Sequence, residues 1–217
     1  SENLYADRSL VAIYGRQRSA FGFDLGWNSG GSTRFRAGYE AAYLSNGTRV
    51  GDPGLQRASG GEQSLRLRFD YDGRDAPYLP ARGVRLLAAA QWFFKAPEAT
   101  ERFAMMDVGF QAAAPLGRRA VLTATFDAGA HAGGTAPGFY DYTLGGPFRL
   151  SALPRNALRG PKYALATAGY RLKVGSLPKL FGGAIYATLS AEAGSVFDRV
   201  SRMRVKSAVT GGFAAET

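Results

Sequence analysis

Few residues of this chain could take part in catalysis, and their spacing does not form a catalytic set. The single histidine, His131, has no cysteine or acidic neighbour at a metal-ligand spacing. Ester hydrolysis by a serine needs a G-x-S-x-G elbow with an aspartate partner, and no serine here is flanked in that way. Asp127-Ala128-Gly129 is nearest to the aspartate motif, but it falls within a predicted strand. Gly145-Gly146 is not followed by a helix start or a P-loop lysine. We therefore predict no enzyme activity, no metal and no cofactor.

The elements that position these residues are segments of about ten residues in which apolar and polar side chains alternate. In the clearest example, four apolar side chains interleave with small or charged ones: Phe21, Phe23, Leu25 and Trp27 against Gly22, Asp24 and Gly26. Successive side chains of a strand point to opposite faces, and about 9–11 tilted residues cross a bilayer. The pattern predicts an all-β antiparallel meander of long strands that is part of a transmembrane β-barrel.

The alternation predicts ten strands and an asymmetric set of connections. The predicted strands are 7–15, 19–28, 33–45, 63–72, 84–94, 102–114, 120–132, 163–174, 184–197 and 205–216. Among them, the segment 84–94 shows the weakest alternation of apolar and polar side chains, because it is apolar on both faces. The predicted short connections are 29–32, 73–83, 115–119 and 175–183, and the long ones are 46–62 and 133–162. Bacterial barrels have short periplasmic turns and longer outer loops, so this asymmetry predicts an orientation.

The net charge of +10 comes mostly from arginine and is compatible with several classes of partner. Nucleic-acid binding is disfavoured, because the basic residues are not gathered on one stripe. They recur on the polar faces of strands and in loops, for example at Arg34, Arg36, Arg66, Arg68, Arg149, Arg155 and Arg159. We interpret them as lumen-facing or loop charges. The absence of cysteine excludes disulfides, and no apolar run is long enough for a transmembrane helix.

The ends of the sequence suggest a piece of a longer exported protein. Residues 1–5 show neither a basic region nor an apolar signal core, and residues 215–217 fall inside a predicted strand. We expect either that a signal was removed or that the chain starts within a longer protein. The whole chain, 1–217, is predicted to be a single domain, a fragment of a C-terminal barrel.

Two motifs go beyond alternation, and the first is a predicted turn. In the stretch from Asp70 to Gly83, Asp72 precedes Pro80-Ala81-Arg82-Gly83. It resembles the aspartate-to-P-x-x-G periplasmic turn of the bacterial surface antigen superfamily. That superfamily includes the outer-membrane barrel-assembly factor and two-partner secretion transporters. Proline and glycine fix a stiff turn between two long strands.

The second motif lies in the long loop 133–162. It comprises Gly145, Gly146, Leu150, Ser151, Asn156 and Gly160. The stretch resembles the sixth outer loop of that superfamily and is most similar to the translocator barrel of patatin-like phospholipase (type Vd) autotransporters. That subfamily carries L-G-G, L-S-G and N-x-L-x-G here, and Ala152 replaces one glycine. By this resemblance the chain holds about ten of about sixteen strands.

The resemblance also implies a partner for the loop. In the superfamily the loop enters the lumen, and its arginine meets an acidic residue two positions before a glycine. Glu192 and Gly194 match that acidic residue and glycine, whereas Ser151 occupies the arginine position. Arg149, Arg155 or Arg159 could take over against Glu192. The alternative is that these arginines contact only water or phosphate.

The resemblance implies an outer-membrane translocator and anchor for a patatin-like phospholipase autotransporter. Its partners would be outer-membrane lipid, the barrel-assembly machinery and upstream passenger or periplasmic domains of the same chain, with no nucleic acid. Two other barrel functions stay open: an assembly or two-partner-secretion barrel without an enzyme, and a passive porin-like channel. A soluble ligand-binding barrel is disfavoured, because outward Phe21 and Phe23 would form an aggregating patch in water.

Overall fold

The computed structural model describes residues 2–6, 9–50, 58–176 and 183–215. Within them the chain forms twelve strands, ten of which make one antiparallel sheet in the order β1 to β7, then β10, β11 and β12. The strands are β1 Glu2–Ala6, β2 Ser9–Ser29, β3 Thr33–Val50, β4 Ala58–Asp72, β5 Gly83–Lys95, β6 Phe103–Leu116, β7 Ala120–Gly133, β8 Tyr142–Leu144, β9 Leu158–Gly160, β10 Lys162–Ser176, β11 Ala184–Phe197 and β12 Lys206–Ala215. Strands β8 and β9 pair only with each other.

The large sheet is a meander of long strands. Except for β1, its strands have between 10 and 21 residues, enough for a tilted strand to cross a bilayer. In the described residues β1 and β12 are the edges of the sheet and do not pair with each other. No helical segment in these residues is long and apolar enough to span a membrane. The predicted all-β antiparallel meander is confirmed.

The register of the strands gives the sheet one apolar and one polar face. Phe23 pairs with Tyr39, Tyr39 with Leu65, and Leu65 with Trp92, so these side chains lie on one face across four strands. On this outer face Phe21 is 80% exposed. Strand alternation places Glu40, Arg66 and Glu192 on the opposite, inner face. The residues predicted to share an apolar face do share it.

The prediction of two strands at 7–15 and 19–28 is wrong. Strand β2 runs without a break from Ser9 to Ser29, and its pairing with β3 continues through Gln17 and Arg18. Residues 16–18 interrupt the apolar alternation but contain no turn-forming glycine, proline or asparagine. Arg18 stays in the strand because its side chain pairs with carboxylates on β3 and β4. The short strand β1 was not predicted.

Strands β3 and β4 are longer than predicted. Strands β3 and β4 extend into the predicted connection 46–62, as far as Val50 and from Ala58. Most of the other strand ends agree within two residues. Parts of four predictions lie outside the described residues: residues 7–8, 51–57, 177–182 and 216.

The strand with the poorest alternation, 84–94, is present as β5. Its inner face carries Phe93, which is only 3% exposed and packs in a cluster with Ala96, Phe103 and Tyr140. Tyr140 comes from the long loop that follows β7. The inner face of β5 is therefore partly apolar because a protein loop covers part of it.

Candidate functional site

The loop between β7 and β10, residues 134–161, folds back over the inner face of the sheet. Its Leu144 and Leu150 are buried, and both pack against Tyr163 and Leu165 of β10. Leu165 pairs with Asp127 on β7 and so lies on the inner face. The apolar loop side chains replace water over this part of the wall, which stabilises the inward position. This loop occupies the stretch 133–162, for which the sequence predicts an inserted lumen loop, and it lies against the inner face of the sheet.

Tyr140 attaches the first part of the loop to the inner face of the sheet, at β5 and β6. It sits in a short 3₁₀ turn, Gly138–Tyr140, with its ring centroid 5.1 Å from those of both Phe93 and Phe103. Phe93 and Phe103 themselves stack at 4.7 Å. Aromatic pairs at these distances stabilise by about 0.5–1.5 kcal/mol beyond the area they bury.

The Gly-Gly pair makes the tight turn at the loop's centre. Gly145 has φ +121° and Gly146 has φ +104°, a region that favours glycine. The Gly145 N–H donates to the Arg149 carbonyl at 2.8 Å, and the Gly146 N–H donates to the Leu153 carbonyl at 3.0 Å. A Cβ on Gly145 would collide with the Pro154 carbonyl oxygen. The backbone path therefore requires glycine at these two positions.

Three residues with side chains also adopt positive φ in the loop: Phe148, Leu150 and Asn156. Leu150, at φ +70°, is 1% exposed and is held by packing. Asn156 is held by a 3.1 Å hydrogen bond from the Thr143 hydroxyl to its Oδ1. Such conformations cost about 1–3 kcal/mol each and persist only when the surroundings enforce them. Packing at Leu150 and the hydrogen bond at Asn156 therefore support the strained backbone of the loop.

Ser151 connects the loop to β11. Its backbone N–H donates to Glu192 Oε2 at 2.6 Å, and its hydroxyl donates to Glu192 Oε1 at 3.1 Å. The Ser151 Oγ also accepts the Phe148 N–H at 3.0 Å. Glu192 is only 2% exposed, so this contact supplies the hydrogen bonds that a buried carboxylate requires. Glu192, the residue that the resemblance implies as the loop's partner, is thus in contact with the loop through Ser151.

The hydrogen bonds to Glu192 come from Ser151 itself, while Arg149 and Arg159 donate to backbone carbonyls of the loop. Arg149 donates to the Thr143 carbonyl at 3.2 Å and lies 5.6 Å from the Tyr163 ring centre. Arg159 donates to the Gly138 carbonyl at 3.2 Å. Arg155 lies beside Gly146. In the described residues both oxygens of the Glu192 carboxylate accept hydrogen bonds from Ser151.

Two glycines give the loop room against the wall. A Cβ on Gly194 would lie 2.9 Å from the Ala164 carbonyl oxygen and 3.0 Å from Leu165 Cδ1, both on β10, and 3.4 Å from Leu144 Cδ1 of the loop. A Cβ on Gly160 would lie 2.8 Å from Val196 Cγ1. Both positions of the predicted motif therefore allow close approach between the loop and β11.

The predicted turn motif is folded at the opposite end of the strands. Asp72 accepts hydrogen bonds at 2.8 Å from both Nε and Nη2 of Arg74. Gly83 has φ +107°, and a Cβ there would collide with the Gly73 carbonyl. The Pro80 carbonyl accepts a 2.6 Å hydrogen bond from Nη2 of Arg171, on β10. The turn thus reaches across the sheet from β4 and β5 to β10.

Sequence reasoning missed an ionic network that holds the other side of the loop. Arg18 pairs with Glu40 and Glu62, and Arg66 pairs with Glu40 at 2.7 Å and with Asp24 at 3.1 Å. The acidic residues of this network lie at inward-facing positions of β2, β3 and β4, next to inward-facing arginines. This placement of opposite charges on neighbouring strands is the sequence signal that could have revealed the network. The hydroxyl of Tyr140 joins this network at Glu62.

Neither the loop nor the network resembles a catalytic or metal centre. In the described residues no group of three or more histidine, aspartate or glutamate side chains could hold a metal ion. His131 Nε2 lies 3.2 Å from the Tyr140 carbonyl oxygen. Burial raises the pKa of the Tyr142 hydroxyl in β8, which keeps it a neutral donor to the Met106 carbonyl at 2.9 Å.

Comparison with known proteins gives the family. Residues 2–215 match the family model described as the Omp85 superfamily domain. The chain belongs to the Omp85 superfamily. The fold is similar to that of BamA from Haemophilus ducreyi, in a crystal structure lacking POTRA domains 1–3, with a TM-score of 0.73 and 11% sequence identity. That match covers 90% of this chain and 48% of the BamA chain, so this chain spans about half of its length. No curated protein matches the sequence.

Membership in this superfamily makes the chain an Omp85-type β-barrel domain of the bacterial outer membrane. A domain of this type is not itself catalytic. The likeness to BamA, at 11% identity, concerns the fold alone. The apolar outer face and the charged inner face are the arrangement that such a barrel needs in lipid.

Proposed function

We propose that this Omp85 domain is the outer-membrane translocator and anchor of a patatin-like autotransporter, with a phospholipase domain upstream in the same protein. The observation that carries the proposal is the Ser151–Glu192 contact. The loop motif that resembles the patatin-like subfamily has serine at the superfamily's arginine position. In this chain Ser151 donates hydrogen bonds to Glu192, the carboxylate expected to hold the loop. The serine that replaces the arginine therefore still connects the loop to β11.

The geometry suggests how such a barrel works without a cofactor. The inner face is lined with charged and polar side chains, which allow a hydrated polypeptide to pass. The loop occupies part of this interior and is attached at Tyr140 and at Ser151. Passage past the loop requires these contacts to loosen or the loop to be held aside. The apolar outer face, with Phe21 and Trp27 exposed, anchors the domain in lipid.

Surface display of the upstream region tests the proposal. The complete protein would be produced in a bacterium, and whole cells would be labelled with a membrane-impermeant reagent and assayed for phospholipid hydrolysis. We expect the upstream domain to be labelled and active at the surface. Glu192→Gln should reduce display severalfold at equal barrel content, whereas Glu98→Gln, at an exposed carboxylate, should not. A complete protein without a G-x-S-x-G serine, or one whose upstream region stays inside, would refute the proposal.

A second candidate is a barrel for protein assembly or two-partner secretion that carries only periplasmic docking domains. The specific observation in its favour is that the fold is similar to BamA from Haemophilus ducreyi. The sequence upstream of Ser1 separates the two, because small docking repeats without a nucleophile elbow favour this candidate. A passive porin-like channel is a third reading, and large steady single-channel conductance of the complete barrel would support it.

A further inference from the structure

A concentrated basic patch lies on the inner face of β3, β4 and β5, apart from the loop contacts. Four arginines and one aspartate line a cavity of about 220 Å³: Arg34, Arg36, Arg68, Arg85 and Asp70. None of the five takes part in the contacts that fix the inward loop. With four guanidinium groups against one carboxylate, the formal charge of the cavity lining is +3.

The one carboxylate is already engaged by two of the arginines. Asp70 accepts hydrogen bonds from Arg85 Nε at 3.2 Å and from Arg85 Nη2 at 3.0 Å. It also accepts one from Arg34 Nη2 at 3.3 Å. This leaves no carboxylate in the cavity lining for the other two guanidinium groups.

Arg36 and Arg68 have no carboxylate partner in this lining, although both also line the adjoining cavity that contains Asp24 and Asp107. They are directly opposite in the register of β3 and β4, and like charges in such cross-strand pairs destabilise a sheet. Both are exposed toward the interior, and neither makes a hydrogen bond or an ion pair in the part of the chain that the structure describes. A bound anion between them would turn this repulsion into two attractions.

We propose that this cavity binds an oxyanion of the phosphate class, held chiefly by Arg36 and Arg68, with Arg34 and Arg85 positioned by Asp70 at its edge. Guanidinium groups present paired N–H donors that match phosphate oxygens, and several converging arginines are typical of phosphate recognition. The cavity has room for a phosphate group with a few waters. The source is either free phosphate or the headgroup of a phospholipid.

Binding by the complete protein in an uncharged maltoside detergent tests the site. Inorganic phosphate would be titrated at constant ionic strength, with chloride as the exchanged ion, and binding read by calorimetry and by the unfolding temperature. We expect saturable binding that raises the unfolding temperature. Arg36→Gln with Arg68→Gln should weaken the affinity at least tenfold. The matched double variant Arg118→Gln with Arg119→Gln, in the β6–β7 turn and outside the cavity lining, should bind as the native protein does.

A second readout separates loss of binding from loss of folding. Without phosphate, Arg36→Gln with Arg68→Gln should be at least as heat-stable as the native protein, because the substitution removes like-charge repulsion. Short-chain phosphatidic acid below its micelle concentration forms a parallel arm. Arginine-dependent binding of phosphate supports a free-phosphate source, and arginine-dependent binding of the lipid alone supports a headgroup source. Binding of neither, or equal binding by the double variant, would overturn the proposal. The proposal does not depend on which upstream domain the protein carries.

Discussion

The Tyr140 hydroxyl donates a 2.7 Å hydrogen bond to the Glu62 carboxylate, although the two residues are 78 positions apart. Glu62 also accepts from Arg18, which in turn pairs with Glu40. One loop side chain is thereby connected to β2, β3 and β4. Together with the Ser151–Glu192 contact on β11, it holds the loop against two distant parts of the wall.

Tyr140→Phe should loosen the first of these attachments while it keeps the ring packing on Phe93 and Phe103. A hydrogen bond to a charged group contributes about 1.5–3 kcal/mol, and Glu62 is 2% exposed. We expect a loss of that size in the free energy of unfolding in urea and faster protease cleavage near residues 134–139. Tyr78→Phe, at a turn tyrosine that is 92% exposed, is the control and should change neither. Equal behaviour of the two variants would contradict the role of the Tyr140 hydroxyl.

Glu192→Gln should weaken the second attachment. The amide oxygen can still accept the Ser151 N–H, and the NH₂ can donate to the Ser151 hydroxyl oxygen, but the hydrogen bonds to a charged carboxylate become weaker, neutral ones. We expect a destabilisation of about 1–3 kcal/mol and protease cleavage between residues 147 and 155. The isosteric change Glu98→Gln, at an exposed carboxylate, should leave both measurements unchanged. An uncleaved loop in Glu192→Gln would show that packing alone holds it.

Gly145→Ala should distort the loop from within. The added methyl meets the Pro154 carbonyl, and alanine is strained at φ +121°. We expect a loss of about 1–3 kcal/mol in unfolding free energy, with the cleavage pattern of Glu192→Gln. Gly175→Ala is the comparison, because open space surrounds its Cβ position and its φ is not positive. Native-like proteolysis of Gly145→Ala would mean that the turn can relax at little cost.

Arg171→Gln should free the β4–β5 turn. Arg171 donates to the Leu79 and Pro80 carbonyls and lies 5.1 Å from the Tyr186 ring centre. Because the chain contains no cysteine, Tyr78→Cys accepts a single spin label in the turn. The label should become more mobile in the Arg171→Gln background and stay unchanged in the Arg118→Gln background. An immobile label in both would show that the turn is rigid without its contact to β10.

The same label should report a pH dependence set by Asp75. The Arg82 and Ala81 backbone N–H groups donate to the Asp75 carboxylate and hold its pKa below the ordinary value. A lowered folded-state pKa stabilises the turn above the unfolded pKa of about 3.9, and this stabilisation is lost as the pH falls through the folded pKa. Label mobility should therefore rise only at pH values below about 4. In Asp75→Asn this acid-induced step should be absent.

The sheet and its faces were predictable because alternation is a local property of the sequence. Phe21 to Trp27 and Leu65 to Tyr71 carry the pattern without reference to distant residues. The prediction of a break at residues 16–18 failed for the same reason. Arg18 interrupts the local alternation, and its charge is balanced by Glu40 and Glu62 on other strands. Only the strand pairing makes that compensation visible.

Only part of the candidate site could be predicted, because some of its contacts join residues that show no local sequence signal. A motif resemblance located Glu192, but the donors that reach it include the Ser151 backbone N–H, which every non-proline residue carries and no side-chain pattern reveals. Arg171 and Pro80 meet across 91 positions, and nothing in either segment indicates the other. The apolar inner face of β5 was a signal of loop cover, because Phe93 would otherwise face water.

The length of β2 determines what lies outside the membrane. Its 21 residues rise about 70 Å, and a 45° tilt converts this to about 50 Å of height against a hydrocarbon layer of about 30 Å. The turn at residues 30–32 lies just beyond the exposed Trp27 and Phe35, so the excess projects at the other end, where the inward loop also begins. There β2 and β3 stay paired as far as Ile13 and Val50. The paired extension of β2 and β3 at this end is therefore longer than a bilayer's hydrocarbon layer requires.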